Sequence, residues 1–284
     1  MLSGGSVNLK ALSLVHVIPS QGIGRCAVAT LGNEMFVVSS NSPDIEVYDA
    51  GTFALQCHFP VPGLGSYCDS LAACIHNSCL YASDTHNNTI HRVDLSGSKA
   101  VTKWSVAREP TGLSVNKAHN VVVTCSDACK LQEYTTHGTR VREISLRPAG
   151  LTNIMHAVQL STGDYVVSHC KSFGAYASGA VSVVGLDGQI VCRYGGPQTS
   201  NVHQMIWPRC LAVTKYDEIL VADASKNRIL LIDTSQNAGQ VLALPVVGGL
   251  QLPCYLFLDE SRGRLYVIDN AGRRLLVFEN KPLK

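Results

Sequence analysis

Cationic and aromatic side chains recur in this chain at the polar turns that precede or follow short apolar runs. Such groups can bind an anion, because a guanidinium donates paired hydrogen bonds to a phosphate or a carboxylate and an aromatic ring stacks on a nucleobase. We predict that this set binds a partner that is either a protein or an RNA. The candidate binding residues are Arg25, Tyr67, Arg108, Lys130, Lys171, Phe173, Tyr176, Trp207, Arg209, Arg228 and Arg273.

Acidic residues occur among these cations. Asp44, Asp69 and Glu109 occupy turns of the same kind and would neutralise part of the positive charge. The alternative interpretation is therefore a rim of salt bridges, in which the arginines stabilise the surface and bind no partner.

One of the turns is longer than its counterparts. The segment between Cys170 and Gly179 contains Phe173 and Tyr176 among small and polar residues. Long loops on a rigid scaffold often carry recognition, so both rings belong to the candidate site. The alternative is an insertion whose rings fold back onto the protein.

Histidines are the first candidates for catalysis. His156 lies in a predicted innermost strand and His169 ends the strand after it. A general base needs a positioned partner, and we find no Ser-His-acid set or carboxylate pair that would converge with either residue. We expect packed, hydrogen-bonded histidines and predict no catalytic residue.

The cysteines are candidates for a disulfide or a metal. Cys74 and Cys79 flank one turn, and Cys125 and Cys129 flank another. No second matching pair and no histidine at a zinc-binding spacing accompanies them. We favour reduced thiols, with a disulfide as the alternative, and predict no metal and no cofactor.

A repeated element must position these residues. Residues 207–233 form three short apolar runs separated by polar turns, and the same pattern returns along the chain at intervals of about 40–50 residues, which is typical of a β-propeller. No stretch shows the period of a long amphipathic helix. The residues that end the second strand of each repeat are predicted to be Ser40, Asp84, Asp127, His169, Asp223 and Asp269. We expect the aspartates to bond turn amides or a nearby arginine such as Arg228.

Each repeat but the last also carries a fourth, outer strand. These strands are predicted at residues 55–59, 101–106, 141–146, 190–194 and 240–244. The sixth repeat lacks one, whereas the chain opens with an unassigned strand at residues 11–18. Pairing the two closes the ring and removes two open sheet edges. The prediction is an all-β, six-bladed propeller over residues 11–284, preceded by an N-terminal tail at residues 1–10.

The repeats resemble NHL repeats. Residues 208–233 and 253–278 carry the pattern in which proline and a hydrophobic residue lead to a Val-x-Asp end and an Asn- and Arg-containing turn, and Pro110-Thr111-Gly112-Leu113 supplies the Pro-x-Gly motif. The resemblance spans residues 11–278 and is degenerate, of an invertebrate type, within the NHL and TolB-like propellers. It implies a six-bladed ring that binds RNA or protein, often as the last domain of a ubiquitin-ligase-like protein.

The composition of the chain indicates the cellular compartment and the kinds of partner to expect. The chain has 284 residues, 46% of them hydrophobic and 15% charged, with a net charge of +2. No basic block, signal peptide or membrane-spanning run is visible. Eleven cysteines in such a chain favour a reducing compartment. We predict a cytoplasmic protein with no membrane partner, monomeric in isolation, or a ring within a larger multidomain protein.

Two functional classes follow. The first is a non-enzymatic recognition or scaffold propeller that binds its partner through the loop face around the central channel. The alternative is a calcium-dependent hydrolase of the lactonase or gluconolactonase kind, with a metal at the channel mouth held by oxygen ligands. Asp69, Glu109 and Asn153 could supply oxygens, whereas Arg25 and Arg209 would repel the metal. A zinc lyase would need several histidines, and only His156 is placed for that role.

Overall fold

The structure is a computed structural model that describes residues 8–20, 24–40, 42–171, 178–196, 204–234, 240–244, 249–269 and 271–280. Two one-turn 3-10 helices lie at Leu9–Ala11 and Ala224–Lys226. The strands are β1 (Leu12–Pro19), β2 (Arg25–Leu31), β3 (Glu34–Ser39), β4 (Asp44–Asp49), β5 (Leu55–Pro60), β6 (Leu71–Cys74), β7 (Cys79–Asp84), β8 (Thr89–Asp94), β9 (Val101–Ser105), β10 (Pro110–Val115), β11 (Val121–Cys125), β12 (Lys130–Tyr134), β13 (Arg140–Ser145), β14 (Ile154–Gln159), β15 (Tyr165–Cys170), β16 (Gly179–Val184), β17 (Ile190–Gly195), β18 (Pro208–Val213), β19 (Ile219–Asp223), β20 (Arg228–Asp233), β21 (Gln240–Ala243), β22 (Tyr255–Asp259), β23 (Arg264–Asp269) and β24 (Arg274–Asn280).

These strands form six antiparallel four-stranded sheets, which confirms the predicted all-β, six-bladed propeller. Blades 1 to 5 follow the chain in consecutive groups of four from β2 to β21. The innermost strands β2, β6, β10, β14, β18 and β22 contact one another in that order, and β22 returns to β2. The ring thus surrounds a central channel, and blades 1 and 4, 2 and 5, and 3 and 6 lie opposite one another.

The sixth blade is completed by the start of the chain. Its order is β22, β23, β24 and β1, with β1 antiparallel to β24. Leu14 pairs with Phe278 and Val17 pairs with Leu276. The predicted closure is therefore present, and no edge of β24 is left open.

The second strand of each blade forms most of the core. All residues of β7, β11, β15 and β19 are buried, because each blade packs against a neighbour on both of its faces. Tyr81, Tyr165 and Tyr266 are among the largest fully buried side chains. The outer strands are more exposed and lie where they were predicted, to within about two residues.

Three of the predicted strand ends differ from the structure. β15 continues one residue beyond the predicted His169, to Cys170. β3 ends at Ser39 and β11 ends at Cys125, so Ser40 and Asp127 lie in the following turns. The carboxylate of Asp127 is exposed and pairs with Arg108. The apolar run of β11 stops before the polar turn, and the aspartate nearest to it in sequence belongs to that turn.

Asp84, Asp223 and Asp269 do end their strands and are fully buried. Each accepts hydrogen bonds from amides in the segment that enters its own blade, as expected for turn-bonding aspartates. The donors are Gly65 to Asp84 at 2.8 Å, Ile206 and Trp207 to Asp223 at 3.1 Å, and Gln251 to Asp269 at 2.8 Å. These aspartates hold the connections between consecutive blades.

All eleven cysteines have free thiols. Cys74 and Cys79 are paired across the turn of their hairpin, as predicted, without a disulfide. Among the described residues, no helix is long and apolar enough to cross a membrane.

Candidate functional site at the channel mouth

One end of the channel opens into a cavity of about 340 Å³. We call the face that carries it the upper face; it bears the segments that enter the innermost strands and the turns between second and third strands. Each blade contributes one side chain from the start of its innermost strand to this cavity. These six residues are Cys26, Asp69, Thr111, Met155, Arg209 and Cys254.

A β-bulge places four of these side chains. The pairing register shifts at Cys26, at Thr111, at Met155 and across Arg209. A bulge inserts an unpaired residue and re-aims its side chain. In these four blades the bulge therefore directs one residue into the cavity, whatever its type, whereas Asp69 and Cys254 lie just before their strands begin.

His156 forms part of the cavity floor. Its Nε2 donates to the Leu113 carbonyl on blade 3 at 3.0 Å, and its Nδ1 accepts from the Leu211 amide on blade 5 at 3.3 Å. Burial lowers the pKa of His156 to about 4. The imidazole is therefore neutral and bridges three blades, which confirms the expectation of a hydrogen-bonded histidine.

Tyr255 completes the floor from blade 6. Its ring lies edge-on to His156, with 6.4 Å between the centroids, and its hydroxyl donates to the Leu71 carbonyl on blade 2 at 2.7 Å. Burial raises the pKa of Tyr255. Both rings line the upper cavity and also a second cavity further along the channel, so they lie between the two.

Gly112 is required for this floor. A Cβ at this position would lie 2.7 Å from the Met155 carbonyl oxygen and 2.8 Å from Cδ2 of His156. Gly112→Ala should lower the free energy of unfolding by about 2–3 kcal/mol. The Met155 backbone and the His156 ring, which is hydrogen-bonded through both nitrogens, cannot move away from the added methyl group. Urea unfolding measures this effect.

Gly51→Ala is the matched control, since its nearest neighbour is a carboxylate oxygen of Asp49 at 3.2 Å in an exposed turn. A change within about 0.5 kcal/mol is expected for it. Equal effects of the two substitutions would contradict this account of the floor.

Arg209 and Arg25 are the two arginines that line the cavity, and they differ in their contacts. The guanidinium carbon of Arg209 lies 4.8 Å from the centre of the Trp207 ring, a cation–π contact. It donates no hydrogen bond and forms no ion pair within the described residues. Its N–H groups are therefore available to a ligand that enters the cavity.

Asp69 lies on the opposite blade. Its Oδ2 accepts from the Thr85 hydroxyl at 2.7 Å, and no described residue donates to Oδ1. The pKa of the neighbouring Glu109 is raised by burial, and the carboxylates of Asp127 and Asp69 add to that rise. The cavity thus has a negative side at blades 2 and 3 and a positive side at blade 5.

The thiols around the cavity are protonated. Burial raises the pKa of Cys26, that of Cys254 to about 11 and that of Cys210 to about 12. Because the thiolate is the nucleophile and the metal ligand, these cysteines act as small apolar groups. Among the described residues, no three His, Cys, Asp or Glu side chains are grouped so that they could hold a metal.

Arg25 lines the cavity but is committed to the fold. Its side chain is only 4% exposed. It donates to the Ile18 carbonyl at 2.6 Å and to the Tyr48 hydroxyl at 2.9 Å, and Glu46 lies 3.4 Å away. These bonds connect β1 to blade 1, so its guanidinium has a structural role in closing the ring.

Three other predicted cations are paired. Arg108 lies 3.4 Å from Asp127, Lys130 lies 2.6 Å from Glu143, and Arg228 lies 3.1 Å from Asp223. Salt bridges are thus present on this face, but their acids are Asp127, Glu143 and Asp223, whereas the predicted acids Asp44, Asp69 and Glu109 form no ion pair within the described residues. Arg108 remains 81% exposed, however, so its pairing leaves it accessible.

Three further predicted residues, Tyr67, Lys171 and Arg273, lie on the upper face outside the cavity lining. Tyr67 is exposed and stacks on His86, with 5.0 Å between the ring centroids. Lys171 and Arg273 are exposed on the same face. Phe173 and Tyr176 lie outside the described residues.

The opposite end of the channel is different in character. Beyond His156 and Tyr255 lies a second cavity of about 190 Å³, which is lined mostly by apolar side chains. A further pocket on that lower face is lined by Asp259, Glu260 and Arg262, of which Asp259 and Arg262 are paired with each other. The upper mouth holds charges of both signs, Arg209 and Asp69, that are not paired with each other. It is therefore the candidate functional site.

Sequence reasoning missed part of this cavity. Cys26, Met155 and Cys254 were not considered as lining residues, and Asp69 was considered as a neutralising charge and as an oxygen ligand of a metal, but not as a group that binds an organic ligand. Aligning the six repeats where each chain segment enters its innermost strand would have found them, because the lining residue lies within two residues of the start of that strand in every blade.

No protein-family model and no curated protein matches this sequence, so membership in the NHL family remains a prediction. Many solved structures share the fold. Virginiamycin B lyase from Staphylococcus aureus is 11% identical, with a TM-score of 0.67 over 94% of this chain and 99% of that one. The structure of U3-55K is 12% identical, with a TM-score of 0.65 over 97% and 100%. A Bacteroides thetaiotaomicron protein of unknown function is 9% identical, with a TM-score of 0.69 over 94% and 75%. These likenesses show the propeller fold alone.

Proposed function

We propose that this chain is a non-enzymatic recognition propeller that binds a protein partner through its upper face, around the channel mouth. The observation that carries the proposal is the state of the mouth. Its histidine is neutral with both ring nitrogens bonded, and its thiols are held protonated. The exposed rim, in contrast, presents aromatic and cationic groups suited to contacts with another molecule.

A protein partner is favoured over RNA by charge. Binding to RNA rests on many phosphate contacts by unpaired cations. On this face Arg25, Lys130 and Arg228 are bonded to neighbouring groups, and Asp69 and Glu109 add negative charge. The positive field is thereby reduced, whereas an interface with a protein uses charges of both signs.

The calcium-dependent hydrolase receives less support. The cavity holds Arg209 at a position where such an enzyme would need an oxygen ligand, and of the six lining residues only Asp69 carries a carboxylate. The structural neighbours include a lyase, but a fold shared at this identity does not transfer a reaction.

The test compares charge reversals on the two faces. A triple variant with Arg108→Glu, Lys171→Glu and Arg273→Glu should retain less than about a tenth of the partner captured by the wild-type ring, because loss of about 1.4 kcal/mol of binding reduces affinity tenfold. All three side chains are exposed, so melting should be unchanged. Quantitative mass spectrometry of captured proteins measures the loss.

Reversal of Lys99, Lys117 and Lys215 to Glu, all on the opposite face, is the matched control and should leave capture intact. Loss of capture on ribonuclease treatment would favour RNA as the partner. A rise in the melting midpoint at millimolar calcium, which binding to the native state alone would cause, would favour the hydrolase.

A further inference from the structure

Arg209 and Asp69 occupy the same position in opposite blades of the ring. Both line the channel-mouth cavity. They form no ion pair with each other, and neither is neutralised by another charged group within the described residues. A cation and an anion are thus held apart across one small space.

Each of the two groups has unused hydrogen-bonding capacity. The guanidinium of Arg209 is fixed against the Trp207 ring and donates to no described residue. Asp69 is held by the Thr85 hydroxyl through Oδ2 alone. Charged groups in a partly desolvated cavity are stabilised by a ligand that supplies the missing partners.

The cavity sets the size of such a ligand. Its volume of about 340 Å³ is near the lower end of the range for small-molecule sites. His156 and Tyr255 form its base, between this cavity and the second one in the channel. Met155 and the thiols of Cys26 and Cys254 provide soft apolar walls for a short carbon skeleton.

We propose that the channel mouth binds a small zwitterion of amino-acid size, with its carboxylate on Arg209 and its ammonium group on Asp69. A simple anion would be attracted by Arg209 but repelled by Asp69 and the neighbouring Glu109. A simple cation would be attracted by the two carboxylates but repelled by Arg209. Only a ligand with both charges satisfies both sides of the cavity. This small-molecule site is distinct from the rim that we propose for the protein partner.

The experiment measures binding of three amino acids by isothermal titration calorimetry. Glycine, L-leucine and L-phenylalanine are each compared with their N-acetyl derivative, which keeps only the carboxylate, and their amide, which keeps only the ammonium group. At least one free amino acid should bind at least about tenfold more tightly than both of its derivatives. Failure of all three free amino acids to bind at millimolar concentration, or equal binding of the three forms, would overturn the proposal.

Two variants then assign the charges. Asp69→Asn should weaken binding of the free amino acid, so that it binds no more tightly than the N-acetyl derivative. Arg209→Gln should make the free amino acid bind no more tightly than the amide. Unfolding of a variant would weaken the binding of all three forms alike and would not remove one of these differences selectively. Arg273→Gln, on the same face outside the cavity, is the control and should change nothing.

These results are separable from the proposed function. The rim variant should lose the protein partner and keep the amino acid, and the cavity variants should do the opposite. If Asp69→Asn and Arg209→Gln both leave the order of the three forms unchanged, the zwitterion site is wrong even if the partner is still captured.

Discussion

A chain that lacks residues 1–19 will not form a stable ring. Removal of β1 leaves β24 as an open edge and uncovers Leu276 and Phe278, which are buried in the intact blade. Ile18 of β1 belongs to the apolar core, and Leu14 packs against it. Loss of this apolar burial and of the strand pairing should cost about 5 kcal/mol or more, a large share of a typical domain's stability. Urea unfolding and size-exclusion chromatography measure the loss and the aggregation that an open edge promotes.

A peptide with the sequence of residues 8–20 should restore the truncated ring when it is added in excess. Pairing with β24 supplies the missing strand, so the melting midpoint should rise with peptide concentration. The control peptide carries Leu14→Asp and Ile18→Asp, which retain the backbone donors but remove the apolar contacts. Equal rescue by the two peptides, or a truncated chain as stable as the full one, would contradict the closure described here.

The ring should lose stability in mild acid. Burial lowers the pKa of His156 and of His169 to about 4, and neighbouring Arg193 and Lys171 contribute at His169. Near pH 7 both residues are neutral in the folded and the unfolded states, so they add no pH dependence there. As pH falls below about 6.5, the two histidines become protonated in the unfolded chain but stay neutral in the folded ring. Each histidine should therefore cost about 2.5 kcal/mol at pH 4.5.

Carboxylates do not produce this effect in the same window. The pKa values of Asp84, Glu133 and Asp259 are lowered in the folded state by hydrogen bonds. Their contribution is lost chiefly below about pH 4, where the unfolded carboxyls are protonated. The interval from pH 6.5 to 4.5 thus reports on the buried histidines, with a smaller share from His91, whose pKa is also lowered by burial.

His169→Gln is the informative variant for the acid prediction. A glutamine amide can still donate to the Ser182 hydroxyl, which His169 contacts at 2.9 Å, but it does not titrate. Urea unfolding at pH 7.0, 5.5 and 4.5 should show a shallower dependence for the variant, with about half of the loss attributed to the two histidines. Identical unfolding free energies at pH 7.0 and 4.5 for the wild-type ring would show that the histidines are not excluded from protonation.

Much of the fold was predictable from the sequence because propeller repeats carry their signal locally. Alternating apolar runs and polar turns predicted the strands, and the missing outer strand of the last repeat predicted the pairing of β1 with β24. The strand ends were less certain. Asp127 resembled Asp84 and Asp223 in sequence, yet it lies in a turn two residues beyond the end of β11.

The site was predictable only in part. Placing Arg25 and Arg209 at the mouth followed from the repeat, and both line the cavity. The repeat pattern did not predict that the two side chains would have different partners. Arg25 donates hydrogen bonds to residues of β1 and β4, whereas Arg209 makes a cation–π contact with Trp207. Such differences depend on contacts between segments far apart in the chain, and a sequence pattern of one repeat at a time does not contain them.

The pairing of β1 with β24 has a consequence for biosynthesis. Within the ring, β1 is synthesised before every other strand, and its partner β24 is synthesised last. Until β24 has emerged from the ribosome, β1 is an unpaired strand that precedes blade 1, and blades 1 to 5 can assemble without it. The pairing of β1 with β24 joins residues far apart in the sequence, and such contacts form slowly. We expect a chaperone to bind the unpaired β1 during translation.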